Sequence, residues 1–199
     1  KNNKNVEIVE GDILAVKPPL GGLTAKSYKI VANIPYYITS RFLRLFLSET
    51  KFRPKLMVLM VQREVAERIC LPRRVKAGAK PQHMNLLALS VQVYAKAEII
   101  RIVPRGAFSP MPKVDSAIIK ISDISDKFFK KNKINPEKFF DILRTAFQKK
   151  RKMLRKSIGD KVDFNKKPAR NATHSVAGGY QTKRPEELSL RDWSCLLPD

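Results

Sequence analysis

Short apolar stretches alternate with segments of helical periodicity over the first 120 residues of the chain. The stretches predict β-strands, and they lie at residues 6–9, 29–32, 55–61, 97–103 and 116–121. The periodic segments predict helices at residues 39–49, after residues 62–64 as far as about residue 70, and at 86–94, with Thr39 or Ser40 capping the first. The continuous apolar run at 55–61 is typical of a strand that is buried on both faces. The alternation favours an α/β fold with a doubly wound sheet, which ends in an antiparallel pair formed by the last two strands.

The pattern becomes helical after Asp123, so we place a domain boundary near residues 122–130. One helix is predicted between Pro136 and Gly159, because apolar residues recur with helical spacing at Phe139, Leu143, Phe147, Leu154 and Ile158. Its opposite face is cationic and includes Lys149, Lys150, Arg151, Lys152, Arg155 and Lys156. Such a face suits contacts with phosphate groups, and the alternative is an ordinary solvated face.

The net charge of the chain indicates which class of partner it binds. The chain has 199 residues, of which 43% are hydrophobic, and its 40 Lys and Arg outnumber 18 Asp and Glu to give a net charge of +22. A folded protein this cationic is expected to bind a polyanion, most commonly nucleic acid, although solvated lysines alone are the alternative. A membrane partner is not expected, since the longest apolar run has six residues, 56–61, and no lipidation signal is present.

Catalysis by a metal or by a covalent nucleophile is not predicted. Cys70 and Cys195 lie far apart without a partner at metal-binding spacing, and His83 and His174 are isolated among polar residues. Unpaired cysteines suit a reducing compartment, so we expect a cytoplasmic protein.

The NIPY segment, formed by Asn33, Ile34, Pro35 and Tyr36, matches what methylating an aromatic amine requires. It follows the strand at residues 29–32, and open α/β sheets bind ligands at the carboxyl ends of their strands. An Asn oxygen and a nearby backbone carbonyl accept the N–H groups of a poorly nucleophilic adenine amine. Proline stiffens the turn, and the tyrosine ring offers a stacking surface. The alternative is an ordinary strand-to-helix turn with an aromatic plug.

Several motifs in order resemble the rRNA adenine dimethyltransferases, and among them the KsgA type, which acts on small-subunit rRNA. They are Glu-Gly-Asp at 10–12, the NIPY segment with Tyr37, residues 61–66, the Phe-x-Pro-x-Pro-Lys-Val-Asp-Ser stretch at 108–116, and two tail segments at 146–154 and 184–190. The resemblance implies a Rossmann-like methyltransferase sheet that uses S-adenosylmethionine, followed by a small all-helical domain. We expect residues 1–123 to form the partial catalytic domain and residues 124–199 the RNA-binding domain.

The resemblance also implies roles for individual residues. Asp12, Ile13 and Asn33 would bind S-adenosylmethionine, while Asn33 and the Ile34 carbonyl would hold the target amine. Tyr36 and Phe108 would stack on the target base. The alternatives are a turn residue for Asp12 and a core aromatic for Phe108. Contacts to RNA are expected from the basic side chains of Lys113, Lys149, Lys150, Arg151, Lys152, Arg155 and Lys156.

The expected activity is dimethylation of the exocyclic amine of adjacent adenosines in small-subunit rRNA, on the immature small ribosomal subunit, by a monomer.

Two departures from the family stand out. The first strand, the Gly-rich cofactor turn and the acid that follows it are missing from the sequence, so we expect an N-terminally incomplete chain that binds the cofactor poorly. Residues 81–85 also replace a common Tyr-Gly pair. The alternatives are Erm-type methylation of large-subunit rRNA, or a non-catalytic RNA-binding or ribosome-assembly module.

Overall fold

A four-stranded mixed sheet forms the centre of the molecule. The computed structural model describes residues 6, 8–15, 28–50, 52–70, 84–149, 151–162, 164 and 179–197. The strands are β1 (Lys29–Asn33), β2 (Leu56–Gln62), β3 (Lys96–Val103) and β4 (Ser116–Ser122), in the spatial order β1-β2-β4-β3. β1 is parallel to β2, whereas β4 is antiparallel to both β2 and β3. The predicted antiparallel pair at one edge of the sheet is therefore confirmed.

The helices occupy the predicted positions in the first part of the chain. They are α1 (Thr39–Arg44, continued by a π-helix at Leu45–Glu49), α2 (Arg63–Ile69) and α3 (Leu86–Gln92). The predicted cap at Thr39 or Ser40 is wrong. A 3-10 turn at Tyr36–Ile38 leads directly into α1, so Ile38 is the N-cap residue and no side chain caps the helix.

The core lies between the sheet and these helices. Alternate residues of β2, namely Met57, Leu59 and Val61, have no solvent exposure, and they face the same core as the buried residues of α1 and α3. The intervening positions of β2 are half-buried. The prediction of burial on both faces is thus correct for one face of β2 and too strong for the other.

The strand predicted at residues 6–9 is wrong. Residues 6 and 8–10 lie outside any strand, and the side chains of Val6, Ile8 and Val9 are exposed, Ile8 by 92%. A strand is stabilised by hydrogen bonds to a neighbouring strand, and none of the described residues pairs with this segment.

The C-terminal part is helical, with α4 (Lys127–Asn132), α5 (Pro136–Gln148), α6 (Leu154–Ile158) and α7 (Leu190–Leu196). Aromatic rings join α4 and α5 to the end of α3, in a cluster made of Tyr94, Phe128, Phe129, Phe139 and Phe140. The division into two domains at residue 123 stays a prediction. No helix in the described part of the chain has both the length and the apolar character needed to span a bilayer.

The sequence predicts a single helix between Pro136 and Gly159, and this prediction is wrong. α5 ends at Gln148, and α6 begins at Leu154, whose N–H donates to the Lys183 carbonyl over 2.8 Å. Like charges four residues apart, as at 151 and 155 or 152 and 156, weaken a continuous helix. The chain turns instead, and Leu154 still reaches the core.

Candidate active site

The NIPY segment lies at the carboxyl end of β1, where Asn33 stands opposite Met60 of β2. The side chain of Ile34 is 5% exposed and anchors the segment in the core. The Pro35 carbonyl accepts the Ile38 N–H over 3.1 Å, which closes the turn into α1. Asn33, the last residue of β1, is exposed to solvent. The turn therefore presents an amide oxygen at the edge of the sheet where parallel strands end.

A residue at the beginning of β4 holds Tyr36 in place. Its hydroxyl lies 2.6 Å from Oγ of Ser116, a residue 80 positions away that has no solvent exposure. Ser116 begins β4 and pairs with Gln62, the last residue of β2. This bond joins the NIPY segment to the end of the 108–116 stretch, while the neighbouring Tyr37 is 89% exposed.

Asp115 organises the loop that enters β4. Its Oδ1 accepts the Arg105 N–H over 3.0 Å, and its backbone carbonyl accepts the Arg63 N–H over 3.0 Å. Its Oδ2 also lies 3.6 Å from the Arg63 guanidinium, which bonds to Glu67 over 2.8 Å. The hydrogen bond and charge of Glu67, with a smaller contribution from Asp115, raise the pKa of Arg63. These contacts fix the loop against the start of α2.

A cleft of about 460 Å³ opens beside this loop and is lined by Gln62, Arg63, Glu64, Glu67, Arg105, Lys113, Val114 and Asp115. Lys113 is exposed on its wall. Phe108 lies in the same loop, half-buried, with its N–H donating to the Arg105 carbonyl over 3.3 Å. The sequence motif at 108–116 located this loop, but the partners of Asp115 and Ser116 were missed because they lie on other strands and helices.

Asp12 lies in an exposed turn. Its Oδ1 accepts the Leu14 N–H over 2.9 Å, and its carbonyl accepts the Ala15 N–H over 2.9 Å. Ile13 beside it is 40% exposed. The carboxylate thus supports its own turn and still faces solvent, and its cofactor-binding role stays a prediction.

The predicted basic set does not form one helix face. Its described members lie in the turn after α5 and in α6, and all are exposed: Lys149, Arg151, Lys152, Arg155 and Lys156. Lys150 lies outside the described residues, as do residues 73–80, a stretch of the sequence with four Lys and Arg and no acid.

The described residues do not indicate catalysis by a metal ion or by a cysteine nucleophile. These contain no cluster of His, Cys, Asp and Glu that could hold a metal ion, and His83 and His174 lie outside them. Burial, with a contribution from Glu98, raises the pKa of the Cys70 thiol to about 11. Such a thiol is a weak nucleophile at neutral pH.

Relatives of known name have similar sequences and structures. The chain is 37% identical over 196 residues to ribosomal RNA small subunit methyltransferase A of Dehalococcoides mccartyi strain CBDB1, covering 98% of this chain and 63% of that protein. It is 38% identical over 151 residues to the protein of the same name from Fusobacterium nucleatum, covering 76% of this chain and 53% of that protein. The chain thus spans about 63% of the length of the relatives from Dehalococcoides.

Two solved structures share the fold. A dimethyladenosine transferase from Plasmodium falciparum superposes with a TM-score of 0.65 at 24% identity, covering 96% of this chain and 70% of that one. The 23S rRNA methyltransferase ErmE superposes with a TM-score of 0.62 at 23% identity, covering 96% and 72%. These matches confirm the predicted Rossmann-like fold. The family model described as ribosomal RNA adenine dimethylase matches residues 1–187. The chain belongs to the ribosomal RNA adenine dimethylase family.

Proposed function

We propose that the full-length protein uses S-adenosylmethionine to dimethylate the exocyclic amine of adjacent adenosines in small-subunit rRNA. Its substrate would be the immature small ribosomal subunit in the cytoplasm, which it would bind as a monomer during ribosome biogenesis. The observation that carries the proposal is the exposed Asn33 amide at the end of β1, next to a tyrosine held by Ser116. The family and the names of the sequence relatives support the same activity.

The residues present fit the cofactor. The Asp12 carboxylate faces solvent with one oxygen engaged by Leu14, which leaves acceptor capacity for an adenine amino group. Ile13 beside it offers an exposed apolar surface, and Asn33 would be close to the reacting end of the cofactor. When bound, S-adenosylmethionine supplies an electrophilic methyl group on sulfur.

Alignment and polarisation supply the rate enhancement. The Asn33 oxygen and the Ile34 carbonyl would accept the N–H groups of the target amine, so that the nitrogen lone pair points at the methyl group. Pro35 restricts the turn that places both acceptors. Tyr36 and Phe108 would stack on a base that has left its helix, which favours an unpaired target nucleotide. The product amine loses its proton to water, so no general base is needed.

RNA would be bound by two basic regions. Lys113 on the wall of the cleft would contact phosphates near the target nucleotide. The exposed cations after α5 would contact a second segment, and Lys150 belongs to this set by sequence. In this proposal residues 1–123 are the catalytic domain and residues 124–199 the RNA-binding domain.

Replacement of Asn33 by Ala in the full-length protein tests the proposal. One lost polarising contact in a dry site typically costs about 10²–10³ in rate, so methyl transfer to immature small subunits should fall by that factor. RNA affinity and the thermal midpoint should stay close to wild type, because the side chain is exposed. Near-normal turnover would contradict the role of Asn33. RNA binding without any methyl transfer by the wild-type protein would favour the non-catalytic alternative.

A further inference from the structure

Helix α4 presents a cationic face at the end of the sheet opposite the candidate active site. Phe128 and Phe129 pack into the aromatic cluster, with ring centroids 5.7 and 5.4 Å from Phe139. Because each helical residue is rotated by about 100°, the lysines of α4 occupy the side of the helix away from that cluster. With two neighbours they form what we call the distal lysine surface, which consists of the exposed residues Lys55, Lys127, Lys130, Lys131 and Lys133.

The acid directly before Lys127 is already engaged. Asp126, just before α4, pairs with Arg53 over 2.7 Å. The Arg53 side chain is 18% exposed, with its guanidinium 4.7 Å from the Tyr94 ring centroid and its Nε bonded to the Leu47 carbonyl. Arg53 is thus fixed in the structure and neutralises Asp126. No ion pair joins a lysine of the distal surface to an acid within the described residues.

The same contact fixes the surface in space. Because Arg53 holds Asp126, the segment that leads into β2 contacts the beginning of α4, and Lys55 follows Arg53 by two residues. β2 runs from this end to Gln62 at the active-site edge, a span of roughly 20 Å. α5 begins at Pro136, close to α4, and its 13 residues carry the chain roughly 20 Å to the basic set after Gln148. The distal lysine surface is therefore separate from both regions already proposed to contact RNA.

We propose that the distal lysine surface binds phosphates of an RNA segment outside the one that carries the target adenosine. Flexible ammonium groups act as point charges for a phosphate backbone, and their repulsion in the free protein is relieved on binding with release of counterions. A bilayer is a poorer partner, because the apolar side chains of α4 point into the core and leave none for insertion. The proposal rests on the proposed function for the identity of the RNA.

Three variants of the full-length protein separate the possibilities, with transcribed small-subunit rRNA as the probe and binding measured over a range of salt concentrations. The first is Lys127→Gln/Lys130→Gln/Lys131→Gln. The comparison variant is Lys149→Gln/Arg151→Gln/Arg155→Gln. A control with the same change in net charge replaces three cations that are ion-paired with Glu64, Asp141 and Glu187, and consists of Arg68→Gln/Lys161→Gln/Lys183→Gln.

The measured quantity is the salt slope, meaning the slope of the logarithm of the binding constant against the logarithm of salt concentration. Each lost phosphate contact lowers its magnitude by roughly 0.7–0.9 units. We expect a decrease of about 2–3 units for the first variant and much less for the control. An unchanged slope in the first variant, with a lower slope in the comparison variant, would overturn this proposal and leave the proposed function intact. Unchanged slopes in both would overturn RNA binding by either surface. Equal decreases in the first variant and the control would assign the effect to net charge and also overturn the proposal.

Lys133 offers a test that does not weaken the fold. Its φ is 53°, in the left-handed region that glycine adopts without strain. Lys133→Gly should therefore raise the thermal midpoint and lower the salt slope by at most about 0.9 units. A more stable variant that keeps the full slope would remove Lys133 from the surface.

Discussion

The hydrogen bond between Tyr36 and Ser116 makes the tyrosine hydroxyl matter, although stacking on a base needs only the ring. If the ring only stacked on the base, Tyr36→Phe would keep most activity. In the structure the hydroxyl lies 2.6 Å from Ser116 Oγ and ties the NIPY segment to the start of β4. Two single replacements, Tyr36→Phe and Ser116→Ala, and their combination therefore test whether this bond orients the ring.

The two replacements should not cost the same. Ser116 has no solvent exposure, so Tyr36→Phe leaves a buried hydroxyl without its partner, at a cost of about 1–3 kcal/mol in the free energy of unfolding. Tyr36 is half-buried, and in Ser116→Ala its hydroxyl turns to water, so a cost of about 0.5–1.5 kcal/mol is expected. The double variant should cost less than the sum, because it removes both partners.

Urea unfolding of the full-length variants measures these differences, and methyl transfer measures the consequence for catalysis. If the orientation of the ring contributes about 1 kcal/mol to transition-state stabilisation, Tyr36→Phe should lower kcat/KM by roughly fivefold. Tyr36→Ala also loses the stacking contact, which should cost about 1–3 kcal/mol more. Tyr37→Phe is the control, because that ring is 89% exposed and next in sequence. Wild-type stability and turnover in Tyr36→Phe would refute the reasoning.

Three further results are expected. Phe108→Ala should weaken capture of the target adenosine by about 1–3 kcal/mol, measured as an increase in KM for rRNA, and an unchanged KM would return Phe108 to a purely structural role. In a Cys195→Ser background, Cys70 should react with iodoacetamide at pH 8 about 100-fold more slowly than an ordinary thiol, because burial and Glu98 raise its pKa to about 11; a rate equal to that of a free cysteine would contradict this. The hydrogen bond and charge of Lys161 lower the pKa of Asp141, so the Lys161→Gln variant should be less stable than wild type above about pH 4, with the difference vanishing as acid protonates the carboxylate; a pH-independent difference would exclude this pair as its cause.

Local pattern was enough for much of the fold. The apolar stretches placed β1 to β4 within one or two residues, and the NIPY segment was placed correctly at the end of β1. The sequence also identified the antiparallel pair at the edge and the family, through several motifs in a fixed order. These features depend on the propensities and periodicity of neighbouring residues, which a single sequence contains.

Local pattern failed where a partner distant in sequence decides the conformation. Residues 6–9 have the composition of a strand, but no described residue pairs with them. The apolar spacing from Phe139 to Ile158 fits one helix, yet the Lys183 carbonyl takes the Leu154 N–H and the chain turns. Periodicity shows which side of a segment is apolar. It does not show which distant group forms a hydrogen bond with the backbone of that segment.

The candidate active site depends on both the local sequence and the tertiary structure. Residue types in the NIPY segment and in the 108–116 stretch determined which chemistry to expect, because an amide, a carbonyl and aromatic rings suit an adenine amine. Tertiary structure alone decided that Ser116 holds Tyr36 and that Arg63 and Arg105 meet at Asp115. These contacts exist because β2 ends where antiparallel β4 begins, and this strand order brings residues 80 positions apart within 2.6 Å. Such an adjacency is a property of the assembled sheet and leaves no signal in the spacing of the residues that it joins.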